Sequence, residues 1–201
     1  MKRTFLLFLV LVISGITSQA DPVAVFELQW GKKKDQQTRS FAIAFDQTAA
    51  PYTVANFKKL VQDRFYLKTT IHRAVPGYLV QGGDPLSKGK DRTEVGTGGP
   101  GYTLPPEIRL KHVRGAVAMG RLPDAVNLKR LSNGSQFYVC LQSMPAQDGK
   151  DTVFGRVISG LDVLDQISHM AADNNANPFE RIEVRRTYII DKFQLGGPPV
   201  R

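Results

Sequence analysis

The stretch His72-Arg73-Ala74-Val75-Pro76-Gly77-Tyr78-Leu79-Val80-Gln81-Gly82-Gly83-Asp84 sets two short runs of strand formers, 69–75 and 78–81, on either side of a Pro-Gly pair. Working outward, further short runs fall at 115–119, 136–141, 152–158 and 182–193, divided by loops rich in Gly and Pro. Ahead of them, 23–30 and 39–45 read as a hairpin. Phe41, Ile43 and Phe45 alternate with smaller residues at the period of a half-buried strand, and Lys32 to Lys34 fall in the turn. Helical spacing occurs in two places. Pro51 suits the first position of a helix that carries Val54, Phe57, Leu60 and Val61 on one face and ends near Asp63. The second fits 160–170, where Ser159 and Asp162 make a capping-box pattern ahead of Leu161, Leu164 and Ile167. Many short strands with two helices predict a mainly β barrel or sandwich.

The first twenty residues stand apart from this pattern. Lys2 and Arg3 precede an apolar run from Phe5 to Ile13, and Ser18-Gln19-Ala20 follows, which is the layout of a secretory signal peptide. The run falls short of the roughly 20 residues that a membrane-spanning helix needs, so no stable membrane insertion is expected. Cleavage after Ala20 leaves residues 21–201, a length suited to one domain and, we expect, a periplasmic or secreted monomer. Loss of Lys2 and Arg3 takes the formal charge from +9 to +7. Outside Lys32 to Lys34 the basic residues are scattered, without interleaved aromatics, so no nucleic-acid partner is expected. Cys140, the single cysteine, cannot form an internal disulfide.

Familiar chemistries find little support. Gly96-Thr97-Gly98-Gly99-Pro100-Gly101 satisfies the dinucleotide fingerprint formally. A charged stretch precedes it in place of a strand and Pro105-Pro106 follows in place of a helix, so it reads as a tight glycine loop. Asn133-Gly134-Ser135 is a formal glycosylation acceptor but reads better as a turn. His72, His112 and His169 lack zinc-site spacing, and no serine lies in a hydrolase elbow. Neither metal nor cofactor is expected.

The segment 72–84, followed in order by Gly96 to Gly99, Ser132 to Val139 and Asp148 to Val157, resembles the cyclophilin family, and the likeness runs from near Val23 to near Phe193. That resemblance implies an eight-stranded antiparallel closed β-barrel capped by two helices, with a groove for proline-containing polypeptides on its outer face. It also implies peptidyl-prolyl cis/trans isomerase activity. An X-Pro bond turns slowly because twisting it breaks amide resonance, at a barrier of about 18–20 kcal/mol. No covalent bond to the enzyme is needed. An apolar slot for the proline ring suffices, together with a fixed donor that favours the twisted amide.

By the same resemblance Arg73 is the catalytic arginine, and Gln81 hydrogen-bonds substrate and orients it. Tyr78, Leu79 and Tyr138 line the proline slot, where relatives commonly carry Phe, Met and Phe. Gln136 is a second groove glutamine. Gly96, Gly120 and Arg121 form the neighbouring side-chain pocket, beside a loop from Leu122 to Leu131 that is longer than a minimal member needs. Around the Asp148-Gly149-Lys150 turn the family often has an aromatic, a leucine and a histidine. Ala146, Gln147 and Asp151 stand there, so that groove wall should be lower and more polar. Cyclosporin, which the family binds with help from an indole at the Ala146 position, should bind weakly. The competing class is a binding module or holdase with little turnover: Arg73 and Gln81 favour the enzyme, Ala146 and Gln147 the competitor.

Overall fold

The computed structural model describes residues 21–195. The leader expected over 1–20 and the last six residues lie outside this range. Strands β1 (Pro22–Trp30) and β2 (Gln37–Phe45) form the expected hairpin, with Phe26 opposite Phe41. Helix α1 (Pro51–Gln62) follows and buries Val54, Phe57, Leu60 and Val61, with Pro51 in its first turn. Ala50 supplies no side-chain cap. Two free N–H groups at the helix start donate instead to a distant carboxylate: Tyr52 to Glu107 Oε1 over 3.1 Å and Thr53 to Glu107 Oε2 over 2.8 Å.

Strands β3 (Arg73–Val75), β4 (Leu79–Gly82), β5 (Ala116–Met119), β6 (Phe137–Cys140), β7 (Val153–Ser159) and β8 (Glu183–Asp191) complete one sheet in the order β3-β4-β6-β5-β7-β2-β1-β8, every pairing antiparallel. Helix α2 (Leu161–Ser168) precedes β8. Its expected Ser159–Asp162 capping box does not form. Ser159 stays in β7, and the helix starts from Gly160 at φ +77°, where a Cβ would lie 2.2 Å from the Ser40 carbonyl oxygen. Close packing on β2 therefore selects glycine over a side-chain cap.

The expected closed barrel is corrected at one seam. Strands β3 and β8 are the two edges of the curled sheet, and no continuous ladder joins them. The chain ahead of β3 is tied across instead by Lys68 N–H to Val184, Val184 N–H to Thr69 and Ile71 N–H to Ile182. The Ala74 N–H, which could have extended that ladder, donates to the Ala176 carbonyl over 2.7 Å. Inside the curl, Phe57 of α1 packs on Phe154 at 4.8 Å and edge-on to Phe137 at 5.3 Å, while Phe26 stacks on Phe41. Burying these rings is the main drive for the helix to dock on the sheet.

Candidate active site

Sheet register assembles what the sequence separates. Arg73 lies opposite Gln81, Gln81 opposite Tyr138 and Tyr138 opposite Ala118, one row crossing β3, β4, β6 and β5. Strand alternation sorts the neighbours. Val80, Val117 and Val139 join the interior core, whereas Leu79, Ala118, Tyr138 and Cys140 form a second apolar cluster on the outer face. That cluster is the floor of a groove.

Arg73 stands exposed at the groove edge, and its Nη1 donates to Gln81 Oε1 over 3.4 Å. Gln81 Nε2 donates to Gln136 Oε1 over 2.9 Å. Gln136 Nε2 in turn donates to the carbonyls of Gly96 and Gly98 over 2.9 and 2.8 Å. The carbonyls can only accept, so the direction of every bond back to the guanidinium is fixed. Asp84 holds the glycine loop itself: its Oδ2 accepts from the N–H groups of Gly96 and Gly98, and its Oδ1 accepts from Leu86. A Cβ on Gly98 would fall 2.2 Å from Asp84 Oδ1. The segment is thus a tight glycine loop, and its carbonyls orient the groove.

A cavity of about 270 Å³ brings together Arg73, Tyr78, Leu79, Gln81, Gly120, Arg121, Tyr138 and Gln147. An adjoining cavity of about 310 Å³ shares Gln81, Gly120 and Arg121 and adds Gly96 and Gln136. Ala146 lines neither; it sits exposed on the short turn Pro145–Gln147. Cavities of about 390 and 410 Å³ elsewhere are larger. They lack the juxtaposition of a cation, paired amides and an apolar floor.

Met144 and His112 went unassigned to the groove in the sequence, and Asp151, read there only as part of a polar wall, makes contacts that were not foreseen. Met144 closes the slot from the loop after β6. Asp151 accepts the Tyr138 hydroxyl at Oδ2 over 2.7 Å and Arg121 Nε at Oδ1 over 2.6 Å. Burial, reinforced by the Asp151 carboxylate, pushes the Tyr138 phenol far above its ordinary value, so it remains a donor. His112 stacks beneath Tyr138, with centroids 6.1 Å apart, and its Nδ1 lies 3.1 Å from Asp148 Oδ1. The His112 backbone N–H donates to the same oxygen over 2.7 Å, fixing the turn that carries Asp151. Their separation in sequence hides these pairs; only the Asp151 departure from the family pattern hints at one of them.

The remaining sequence features fall into place around the groove. Asn133 Oδ1 accepts from the N–H groups of Ser135 and Gln136, and its Nδ2 donates to the Gly98 carbonyl, as a turn residue would. Burial pushes the Cys140 thiol up to about 12, which keeps it protonated and inert at neutral pH.

Comparison with known proteins agrees with this geometry. Residues 33–189 match the model of the family described as cyclophilin type peptidyl-prolyl cis-trans isomerase/CLD. The chain is 32% identical over 159 residues to a peptidyl-prolyl cis-trans isomerase-like 1 of Emericella nidulans, covering 78% of this chain and 93% of that protein. It is 40% identical over 124 residues to peptidyl-prolyl cis-trans isomerase B of Bacillus subtilis, covering 60% and 78%. The crystal structure of a cyclophilin type peptidyl-prolyl cis-trans isomerase from Cryptosporidium parvum superposes with a TM-score of 0.68 at 24% identity, covering 84% of this chain and 99% of that one. The fold and these matches define the class as peptidyl-prolyl cis-trans isomerase. The chain belongs to the cyclophilin-type family of that class.

Proposed function

We propose that the chain isomerises X-Pro bonds in exported polypeptides and so assists their folding, with Arg73 as the catalytic group. The observation that carries this reading is the one-way chain of hydrogen bonds from the glycine-loop carbonyls through Gln136 and Gln81 to Arg73. A proline ring rests on Leu79 and Tyr138, both nearly buried. As the bond twists, the nitrogen lone pair is released from resonance and becomes an acceptor. A held guanidinium beside it stabilises that state more than the planar one. Slow prolyl isomerisation limits the folding of many chains, so catalysing it speeds their maturation.

Export rests on the basic start, the short apolar run and the small residues before Asp21. A secreted or periplasmic protein beginning at Asp21, found by mass spectrometry, supports it; recovery from cytosol with Lys2 and Arg3 retained defeats it. The catalytic reading is tested by isomerisation of an X-Pro peptide. Arg73→Ala should lose about a hundredfold or more in kcat/KM, comparable to losing a transition-state donor elsewhere, while keeping its circular dichroism. Arg73→Lys should recover little, lacking the planar fork. Equal turnover in folded wild type and Arg73→Ala would refute the Arg73 assignment, and little turnover in folded wild type would favour a second reading, a binding module. The exposed Ala146 and polar Gln147 at the rim support that alternative.

A further inference from the structure

The outer face of the sheet carries a separate cavity, of about 410 Å³, on the far side of β5 from the proline slot. Tyr138 of β6 lies opposite Ala118 of β5, and Ala118 lies opposite Val153 of β7, which lines this cavity. Two strand spacings therefore set it roughly 10 Å from the slot. Its floor continues the same apolar surface. Ala116 and Val153 belong to the cluster that includes Leu79 and Tyr138, and Leu110 packs against it. Val113, also lining the cavity, is 54% exposed.

Charge sets this cavity apart from the slot. Arg156 rises from its floor, and the cross-strand partners of Arg156 are Ala44 on β2 and Ala116 on β5. Cross-strand partners share a face, so two methyl groups flank the stem and leave the guanidinium clear. Lys111 and Lys192 line the same cavity, with Asp21 and Asp46. Asp21 lies 3.5 Å from Lys192, and Asp46 Oδ1 accepts the Ala49 N–H over 2.8 Å. Asp148, close enough to feel Lys111, is bound to His112. Among the described residues neither Lys111 nor Arg156 has an ion-pair partner, and both are exposed.

Resting on the isomerase reading, we infer that this cavity is a second docking site for the polypeptide whose proline occupies the slot, and that it takes an apolar side chain flanked by acidic residues. The lining selects that occupant. Leu110, Val113 and Val153 suit the apolar side chain, while Lys111 and Arg156 are free to meet carboxylates on either side of it. A polypeptide held in the slot is already tethered, so a contact a few extended residues away is met at an effective concentration on the order of millimolar. Even a weak second contact then raises the affinity for long chains above that for short peptides.

The test uses labelled peptides with an Ala-Pro core joined, at either end and through flexible Gly-Ser linkers of graded length, to Glu-Leu-Glu, Lys-Leu-Lys or Gly-Ser-Gly. By fluorescence anisotropy Glu-Leu-Glu should bind about tenfold more tightly than Gly-Ser-Gly at one end of the core, and Lys-Leu-Lys should show no such gain. The gain should shrink as salt is raised, because the cations are exposed. In Lys111→Gln/Arg156→Gln, shown folded by circular dichroism, it should fall to about twofold or less. Lys33→Gln/Lys34→Gln removes the same charge from the exposed turn between β1 and β2 and should keep it. No gain at any linker length, an equal gain with Lys-Leu-Lys, or equal losses in the two double variants overturns the inference. Binding is read without turnover, so a protein that shows the gain but does not isomerise the Ala-Pro bond counts against the isomerase reading alone.

Discussion

The Tyr138 hydroxyl and Arg121 Nε converge on the two oxygens of the Asp151 carboxylate, at 2.7 and 2.6 Å. Arg121 and Asp151 keep only 8% and 13% of their side chains exposed, so removing the carboxylate leaves the Tyr138 phenol without its acceptor and Arg121 with Asp124 as its remaining counter-ion. Asp151→Ala should therefore cost about 2–3 kcal/mol of stability. Tyr138→Phe, which removes the hydroxyl and leaves Asp151 paired with Arg121, should cost about 1 kcal/mol. The double variant should be clearly less destabilised than the sum, since its members share one network. Urea denaturation of the four proteins measures this, and strict additivity would contradict the geometry.

Alkaline pH should expose a second consequence of burial. The phenols of Tyr66 and Tyr138 are both pushed well above their ordinary value, first by desolvation. The folded state therefore holds their protons more tightly than the unfolded chain does. The associated stability is complete below the unfolded value of about 10 and is lost as pH rises above it. Phenolate absorbance should show Tyr66 and Tyr138 ionising only as the protein unfolds. Reversible ionisation of all the tyrosines in the folded protein near pH 10 would rule this out.

Gln136 reaches Arg73 only through Gln81, so on the proposed mechanism it is a positioning residue. In Gln136→Leu the shape is nearly kept, but Gln81 loses its acceptor and the Gly96 carbonyl its side-chain donor, while Gly98 keeps Asn133. The expected result is a fall of roughly tenfold in kcat, about 1.4 kcal/mol, with KM little changed. A steady-state comparison with wild type decides it; a rise in KM at constant kcat would place Gln136 in binding instead.

Cyclosporin should inhibit weakly, because Ala146 is an exposed methyl on the Pro145–Gln147 turn and supplies neither an N–H nor a flat apolar face. Ala146→Trp should gain about 2 kcal/mol of affinity, roughly thirtyfold. Titration in the isomerase assay would expose the error if wild type were inhibited at low nanomolar levels, or if a folded variant gained nothing.

Local physics wrote much of this fold into the sequence. The alternation of Phe41, Ile43 and Phe45 and the helical spacing of Val54, Phe57 and Leu60 each depend on neighbours within a few residues, and each element stands where that spacing places it. The rest depends on distant partners. Glu107 caps a helix more than fifty residues earlier, and Gly160 replaces the capping box because β2 packs against it. The open seam follows from the Ala74 N–H turning to Ala176. At the site, motif order located Arg73, Gln81 and Gln136. The His112–Asp148 and Tyr138–Asp151 pairs join residues with no local signature, and only register and loop path bring them together.

Strand β8 pairs with β1, so Pro22 meets Asp191 across nearly the whole described chain. During synthesis β1 can find β2 early, but its other edge stays unpaired until the last strand arrives. The sheet is therefore completed only after β8 has been made, and such long-range closure is slow. Until then an apolar strand edge is open to pairing with other chains. The two strands that meet last are thus the ones whose edges stay exposed longest during folding.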